Sequence, residues 1–180
     1  MAPAKPVGRS SRRASRSKNP RYTVDASVFV NAFNPHEEGH TESLLLLSEI
    51  QDRGDPVIVP TLLVPEIAAA VARASDDRTG ALEYANASAA LPHVTVVPLT
   101  TLLAKQAAEL AATHRLRAAD ATYVAVARRY GTTLVSRDDE QRTRGAAVVS
   151  CQTPEEALRM EEGGDTGPFS RRLAGAAKSG

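Results

Sequence analysis

Asp25, Glu66, Asp120 and Asp138 are the residues of this 180-residue chain whose types and positions could do chemistry together. Asp25 ends a short β-type run, Arg21-Tyr-Thr-Val-Asp25, where a buried carboxylate is costly unless it has partners. Asp138 comes two residues beyond another such run, Thr133-Leu-Val-Ser136. Glu66 follows Pro65 at the start of one helical pattern, and Asp120 falls in the first turn of a later one. In a parallel sheet with crossover helices all four face the carboxyl ends of the strands, the edge where such sheets bind their ligands. Carboxylates crowded there repel one another and hold their protons unless a cation joins them. Oxygen-only donors suit Mg2+ or Mn2+ over zinc or copper. Such an ion acidifies bound water and neutralises charge on a phosphodiester, so phosphodiester hydrolysis is the natural reaction. Singly, Glu66 and Asp120 have a plainer use, complementing a helix dipole. Asp139 and Glu140 make Asp138 equally part of a solvated acidic patch, and either aspartate can face the crevice.

The elements that must position these acids follow from apolar periodicity. The first strand ends at Asp25, and a polar stretch with Asn34-Pro35 leads to an amphipathic helix from Glu38 to Asp52. Leu44, Leu45, Leu47 and Ile50 are its expected inward face, and Gly54 its stop. Val57 to Val59 is a second strand. The next helix carries Ile67, Ala70, Val71 and Ala74 at helical spacing, with Pro65 in its first turn. A helix from Arg78 to Ala90 returns the chain to a strand at Val94 to Val97. Helices from Leu99 to Thr113 and from Arg117 to Tyr130 follow, then strands at Thr133 to Ser136 and Ala147 to Val149 flanking a short charged helix. Pro154 to Glu161 closes the chain as a helix. This alternation predicts an α/β fold, a three-layer αβα sandwich around a central parallel sheet.

Composition sets the frame. With 42% hydrophobic residues the chain has room for one core. No apolar run approaches the roughly 18 residues that span a bilayer, so no membrane association is expected. A lone cysteine, Cys151, rules out an internal disulfide and fits a cytoplasmic location. Seven of 22 basic residues precede the first acid, which leaves 15 against 21 acids in the rest. Residues 1–20 therefore read as a disordered basic tail, either a phosphate-binding arm or a solvated leader, and residues 163–180 as a second disordered tail. The folded unit is expected over residues 21–162. The tail's composition is also that of an organellar transit peptide, but it has no apolar segment for a secretory signal.

The motifs around the four acids resemble those of PIN domains. Val24-Asp-Ala-Ser-Val-Phe-Val30 is similar to the family's opening, with serine two positions after aspartate. Val59-Pro-Thr-Leu-Leu-Val-Pro-Glu66 resembles its proline followed by glutamate on the third helix. Leu116-Arg-Ala-Ala-Asp-Ala-Thr-Tyr123 is similar to its most recognisable segment, and Leu134-Val-Ser-Arg-Asp138 to its closing strand. The resemblance runs from Tyr22 to Pro154. It departs at Asp138-Asp-Glu-Gln141, where relatives often place an apolar residue three positions on.

The resemblance implies an αβα sandwich that binds Mg2+ or Mn2+ and cuts RNA, most often as the toxin of a VapBC-type toxin-antitoxin pair. Such toxins form homodimers and are silenced by a cognate antitoxin. Carried onto this chain, it makes Asp25 and Asp120 the principal metal ligands, completed by Glu66 and Asp138 directly or through water. It gives Ser27 and Ser136 a supporting role, although Ser27 is equally placed to cap the helix after Asp25. An inactive PIN-like scaffold that binds RNA or protein is the main alternative.

Other classes fit less well. His36-Glu-Glu-Gly-His40 satisfies a zinc-protease pattern that works only on a helix, and Asn34-Pro35 and Gly39 argue against one there. A metal-dependent adhesion module wants a serine where Phe29 stands, and a receiver domain wants a lysine near Arg137 or Arg142. Seven Phe and Tyr residues form no interleaved stacking platform for RNA. Phosphate contacts are therefore expected from Arg73, Arg115, Arg117, Arg128 and Arg129, or from the basic tail.

Overall fold

A computed structural model describes residues 21–162; the two tails lie outside the described residues. The chain starts with strand β1 (Tyr22–Val24), helix α1 (Ala26–Phe33), helix α2 (His40–Arg53) and strand β2 (Val57–Pro60). Helices α3 (Leu63–Ser75) and α4 (Arg78–Ala89) lead to β3 (Val94–Val97), and α5 (Thr101–His114) and α6 (Ala118–Tyr130) to β4 (Thr133–Val135). The described chain ends with α7 (Asp139–Gly145), β5 (Cys151–Gln152) and α8 (Pro154–Glu162). The strands form one parallel sheet in the order β3-β2-β1-β4-β5. The expected α/β sandwich with a central parallel sheet is thus what the chain adopts.

The strand order places a switch point between β1 and β4. The chain leaves β1 for β2 on one side and leaves β4 for β5 on the other, so a crevice opens above their carboxyl ends. The two strands are in register from Tyr22 opposite Thr133 to Val24 opposite Val135, and the Asp25 N–H donates to the Val135 carbonyl at 2.9 Å. That bond fixes the height of Asp25 relative to the β4–α7 turn.

Helix α6 packs across β1, β2 and β4 and against α5. Every residue from Asp120 to Ala127 is buried, which explains its small residues: a helix enclosed on all sides needs alanine where a bulky side chain would separate the layers. Val24, Val28, Leu46, Ile50, Val59, Leu63, Ile67, Val71, Val124 and Leu134 form the apolar centre, all fully buried.

Four expectations are corrected. The stretch after Asp25 includes the two-turn helix α1, and its cap is Asp25, whose carboxylate accepts from the Ser27 N–H; Ser27 lies inside the helix. On α2 Ile50 is buried and Leu47 packs against the core as expected, but the other inward residues are Ser43 and Leu46, whereas Leu44 points outward. Four successive leucines made the stripe ambiguous, and the packing of Leu46 and Ile50 into the core sets the phase. Likewise Ala74 on α3 is exposed. Finally, Ala147 to Val149 is not a strand: the N–H groups of Val148 and Val149 fold back onto the Gly145 carbonyl, and the sheet resumes at Cys151–Gln152. The two valines pack on the core from a turn, so their apolar character signalled burial and not a ladder.

Among the described residues no helix is long and apolar enough to cross a membrane.

Candidate metal centre

Each of the four acids reaches the crevice from a different element. Asp25 is buried just beyond β1, and both its oxygens are engaged. Oδ1 accepts from the Ser27 N–H at 2.8 Å and Oδ2 from the Gln141 side-chain amide at 3.2 Å. Burial pushes the Asp25 carboxyl up from the usual carboxylate range; bonds from Ser27 and Gln141 oppose this, and the charge of Asp120 adds to it. Glu66, in the first turn of α3, accepts from the Tyr123 hydroxyl at 2.7 Å. Its carboxyl is also raised, chiefly by burial, with further contributions from Asp25 and Asp120. The Tyr123 hydroxyl is pushed well above its ordinary value, first by burial and then by the charges of Asp25 and Glu66, so it stays protonated and can only donate to Glu66.

Asp120 is buried in the first turn of α6. Its Oδ2 accepts from Nε of Arg117 at 2.7 Å, and a terminal nitrogen of the same guanidinium donates to Oδ2 of Asp138. Asp138 caps α7 with its other oxygen, which accepts from the Gln141 N–H at 2.8 Å. Burial acts to raise the Asp138 carboxyl, but the Gln141 N–H and Arg117 prevail and hold it below the usual range. Asp139 extends into solvent with 90% of its side chain exposed and pairs with Arg142, so Asp138 is the aspartate at the crevice.

Two serines tie the β1 and β4 ends together. The Ser27 hydroxyl accepts from the Arg137 N–H at 3.1 Å and lies 3.4 Å from that of Ser136, which accepts from the Asp138 N–H at 3.0 Å. Both serve the backbone that carries the acids. Arg137 anchors the turn from outside, pairing with Glu155 of α8 at 2.8 Å. Its guanidinium lies where a Cβ on Gly39 would fall, and Gly39 has φ +77°, a left-handed conformation that favours glycine.

The four predicted acids thus converge, but their oxygens face protein donors. Among the described residues no group of three His, Cys, Asp or Glu side chains stands arranged to hold a metal ion. His36 and His40 do not share a helix: the intervening residues form turns, His40 opens α2, and its ring bonds the Asn31 carbonyl at 3.0 Å.

Sequence reasoning missed Tyr123 and Gln141 as partners of the acids. Gln141 is fully buried, and its Oε1 is the buried side-chain polar atom without a partner among the described residues. A glutamine where the resembling motif often has an apolar residue was the available signal. Arg117, expected as a phosphate contact, lies across two of the acids. Arg128 and Arg129 sit in the last turn of α6, roughly 12 Å along the axis from Asp120 at about 1.5 Å per residue, away from the crevice.

Fold and acids together define an α/β protein with a carboxylate-lined crevice at the switch point of its sheet. Residues 22–146 match the family model described as PIN domain. That is well over half of the chain, and the chain belongs to the PIN domain family. Its structure is similar to that of Mycobacterium tuberculosis VapC20, described as a sarcin-ricin loop cleaving toxin, with a TM-score of 0.59 and 24% identity, covering 69% of this chain and 95% of that one. Two further likenesses are FitAcB from Neisseria gonorrhoeae and PAE2754 from Pyrobaculum aerophilum. FitAcB has a TM-score of 0.57 and 20% identity, covering 74% and 98% of the two chains. PAE2754 has a TM-score of 0.56 and 19% identity, covering 78% and 96%. At these identities the likeness is one of fold. A search of curated proteins finds no match.

Proposed function

We propose that this chain is a divalent-metal-dependent endoribonuclease and the toxin of a VapBC-type toxin-antitoxin pair. The observation that carries this reading is the convergence of Asp25, Glu66, Asp120 and Asp138 on one crevice, with two of the four carboxyls raised by burial and mutual charge. Such a cluster favours a cation, and its all-oxygen donors match Mg2+ or Mn2+. Membership of the PIN domain family, the likeness to VapC20, and a structural neighbour described as a toxin-antitoxin complex from Klebsiella pneumoniae support the same reading.

In this proposal Asp25 and Asp120 hold the ion, and Glu66 and Asp138 complete its surroundings directly or through water. The ion supplies Lewis acidity, which stabilises charge on a phosphodiester and eases deprotonation of water. Tyr123 orients Glu66, Gln141 orients Asp25, and Ser27 and Ser136 fix the spacing of the two strand ends. RNA is the substrate, a cognate antitoxin and a second copy of the chain are the partners, and the cytoplasm is the location. The lack of a ready-made ligand triple favours a second reading, a PIN-like scaffold that binds RNA or protein without cutting.

Incubating purified protein with a mixed RNA pool and Mg2+ or Mn2+, alongside EDTA and Asp120→Asn controls, separates the two. The nuclease reading predicts discrete fragments lost in both controls. Intact RNA throughout, from protein that is folded and binds RNA, would establish the scaffold.

A further inference from the structure

We infer that Arg117 is the resident counter-ion of the acidic crevice, and that a divalent ion gains Asp120 and Asp138 only by displacing its guanidinium. This inference rests on the metal-site reading above.

Arg117 occupies a singular position in the chain. It is the residue before α6, with extended backbone at φ −65° and ψ 156°, and its side chain leaves the helix start toward the turn that carries Asp138. One face of the guanidinium fork meets Asp120 on α6 and the other meets Asp138 beyond β4, so a single cation bridges two acids that are 18 residues apart in sequence. Both contacts are to Oδ2 atoms. The remaining oxygen of Asp138 is committed to the cap of α7, which leaves the Arg117-bound oxygen as the one it can offer an ion. Arg117 therefore stands where a dication would find ligands. It engages two of the four acids in a crevice where, among the described residues, no ready-made metal-ligand triple stands.

The same geometry makes the hold reversible. The Arg117 side chain is 60% exposed against 11% for Asp120 and 28% for Asp138, so water reaches the pair from the guanidinium side and Arg117 can swing away without unpacking the core. Guanidinium cannot shed its proton in the working pH range, so proton loss cannot clear the site and the side chain must move. A dication carries twice the charge in a smaller volume and competes on favourable terms for the two carboxylates. Once displaced, Arg117 remains tethered at the crevice lip, where its planar fork matches the oxygens of a phosphate.

Equilibrium binding of Mn2+ alone to the full chain tests this, using wild type, Arg117→Ala, Arg117→Lys and Asp120→Asn, with thermal melts to verify folding. Loss of the competitor should tighten Mn2+ binding about tenfold in Arg117→Ala, the scale of two ion pairs each worth up to about 1 kcal/mol. Arg117→Lys, which keeps the charge but lacks the fork, should fall between. Unchanged or weaker binding in Arg117→Ala, or a gain that Arg117→Lys shows in full, overturns the inference while leaving the metal site standing. Mn2+ binding absent from every protein, or unaltered by Asp120→Asn, overturns both.

Discussion

Asp25 does two jobs that substitutions can separate. Its carboxylate caps α1 through Ser27 and faces the Gln141 amide, while burial raises its proton affinity. Asparagine caps a helix as well as aspartate does. It also brings an N–H2 that a flipped Gln141 can meet with the Oε1 now left without a partner. Asp25→Asn should therefore melt at or above the wild-type temperature without metal, because a costly buried charge is gone, yet cleave no RNA. Asp25→Ala should lose activity and also about 0.5–2 kcal/mol with the cap. Circular-dichroism melts of the two variants check this; equal destabilisation in both would show that capping is not what Asp25 does for the fold.

At the scale of elements, strand and helix order was legible in the sequence because periodicity, prolines and glycines marked it redundantly. The acids were legible because each fell at a strand end or in a helix's first turn. What was not legible depended on tertiary context. The sequence Ala147-Val-Val149 reads as a strand, but Gly145 turns the chain and only Cys151–Gln152 reaches β4. The departure at Gln141 marked a position but not its partner, and the partners of Gln141 and Tyr123 lie 116 and 57 residues away in sequence.

The run of leucines on α2 is the clearest case, since the phase of a helix cannot be read from four identical neighbours. Leu46 is fully buried and Leu44 is 48% exposed. Leu46→Ala should cost about 2–5 kcal/mol as a core truncation, and Leu44→Ala within about 0.5 kcal/mol. Urea unfolding of both variants measures the difference, and equal costs would mean that the helix is phased otherwise.

For the whole molecule, the charge of the crevice links metal, pH and stability. Asp25 and Glu66 bind protons more tightly folded than unfolded, so their contribution to stability falls as pH rises from the usual carboxylate range through their raised values. Asp138 acts in the opposite sense: its stabilising effect is present above the usual range and is lost as pH falls through its lowered value. A dication offsets the burden of the first pair once they are ionised. Mg2+ should thus raise the melting temperature at neutral pH and have little effect well below pH 4. At a concentration of about 100 times Kd the gain is about 2.7 kcal/mol, or roughly 5–10 °C for a chain of this length. Scanning calorimetry across pH, with and without Mg2+, checks it; a shift of equal size at acidic and neutral pH would point to binding elsewhere.

The central claim is that these four carboxylates form a dication site, and the most direct measurement is a crystal structure with saturating Mn2+, using anomalous scattering to locate the ion. The account predicts Mn2+ between Asp25 and Asp120, Glu66 and Asp138 about it directly or through water, and the Arg117 guanidinium withdrawn from both aspartates. No anomalous signal at the crevice, with Arg117 still bridging Asp120 and Asp138, would contradict it.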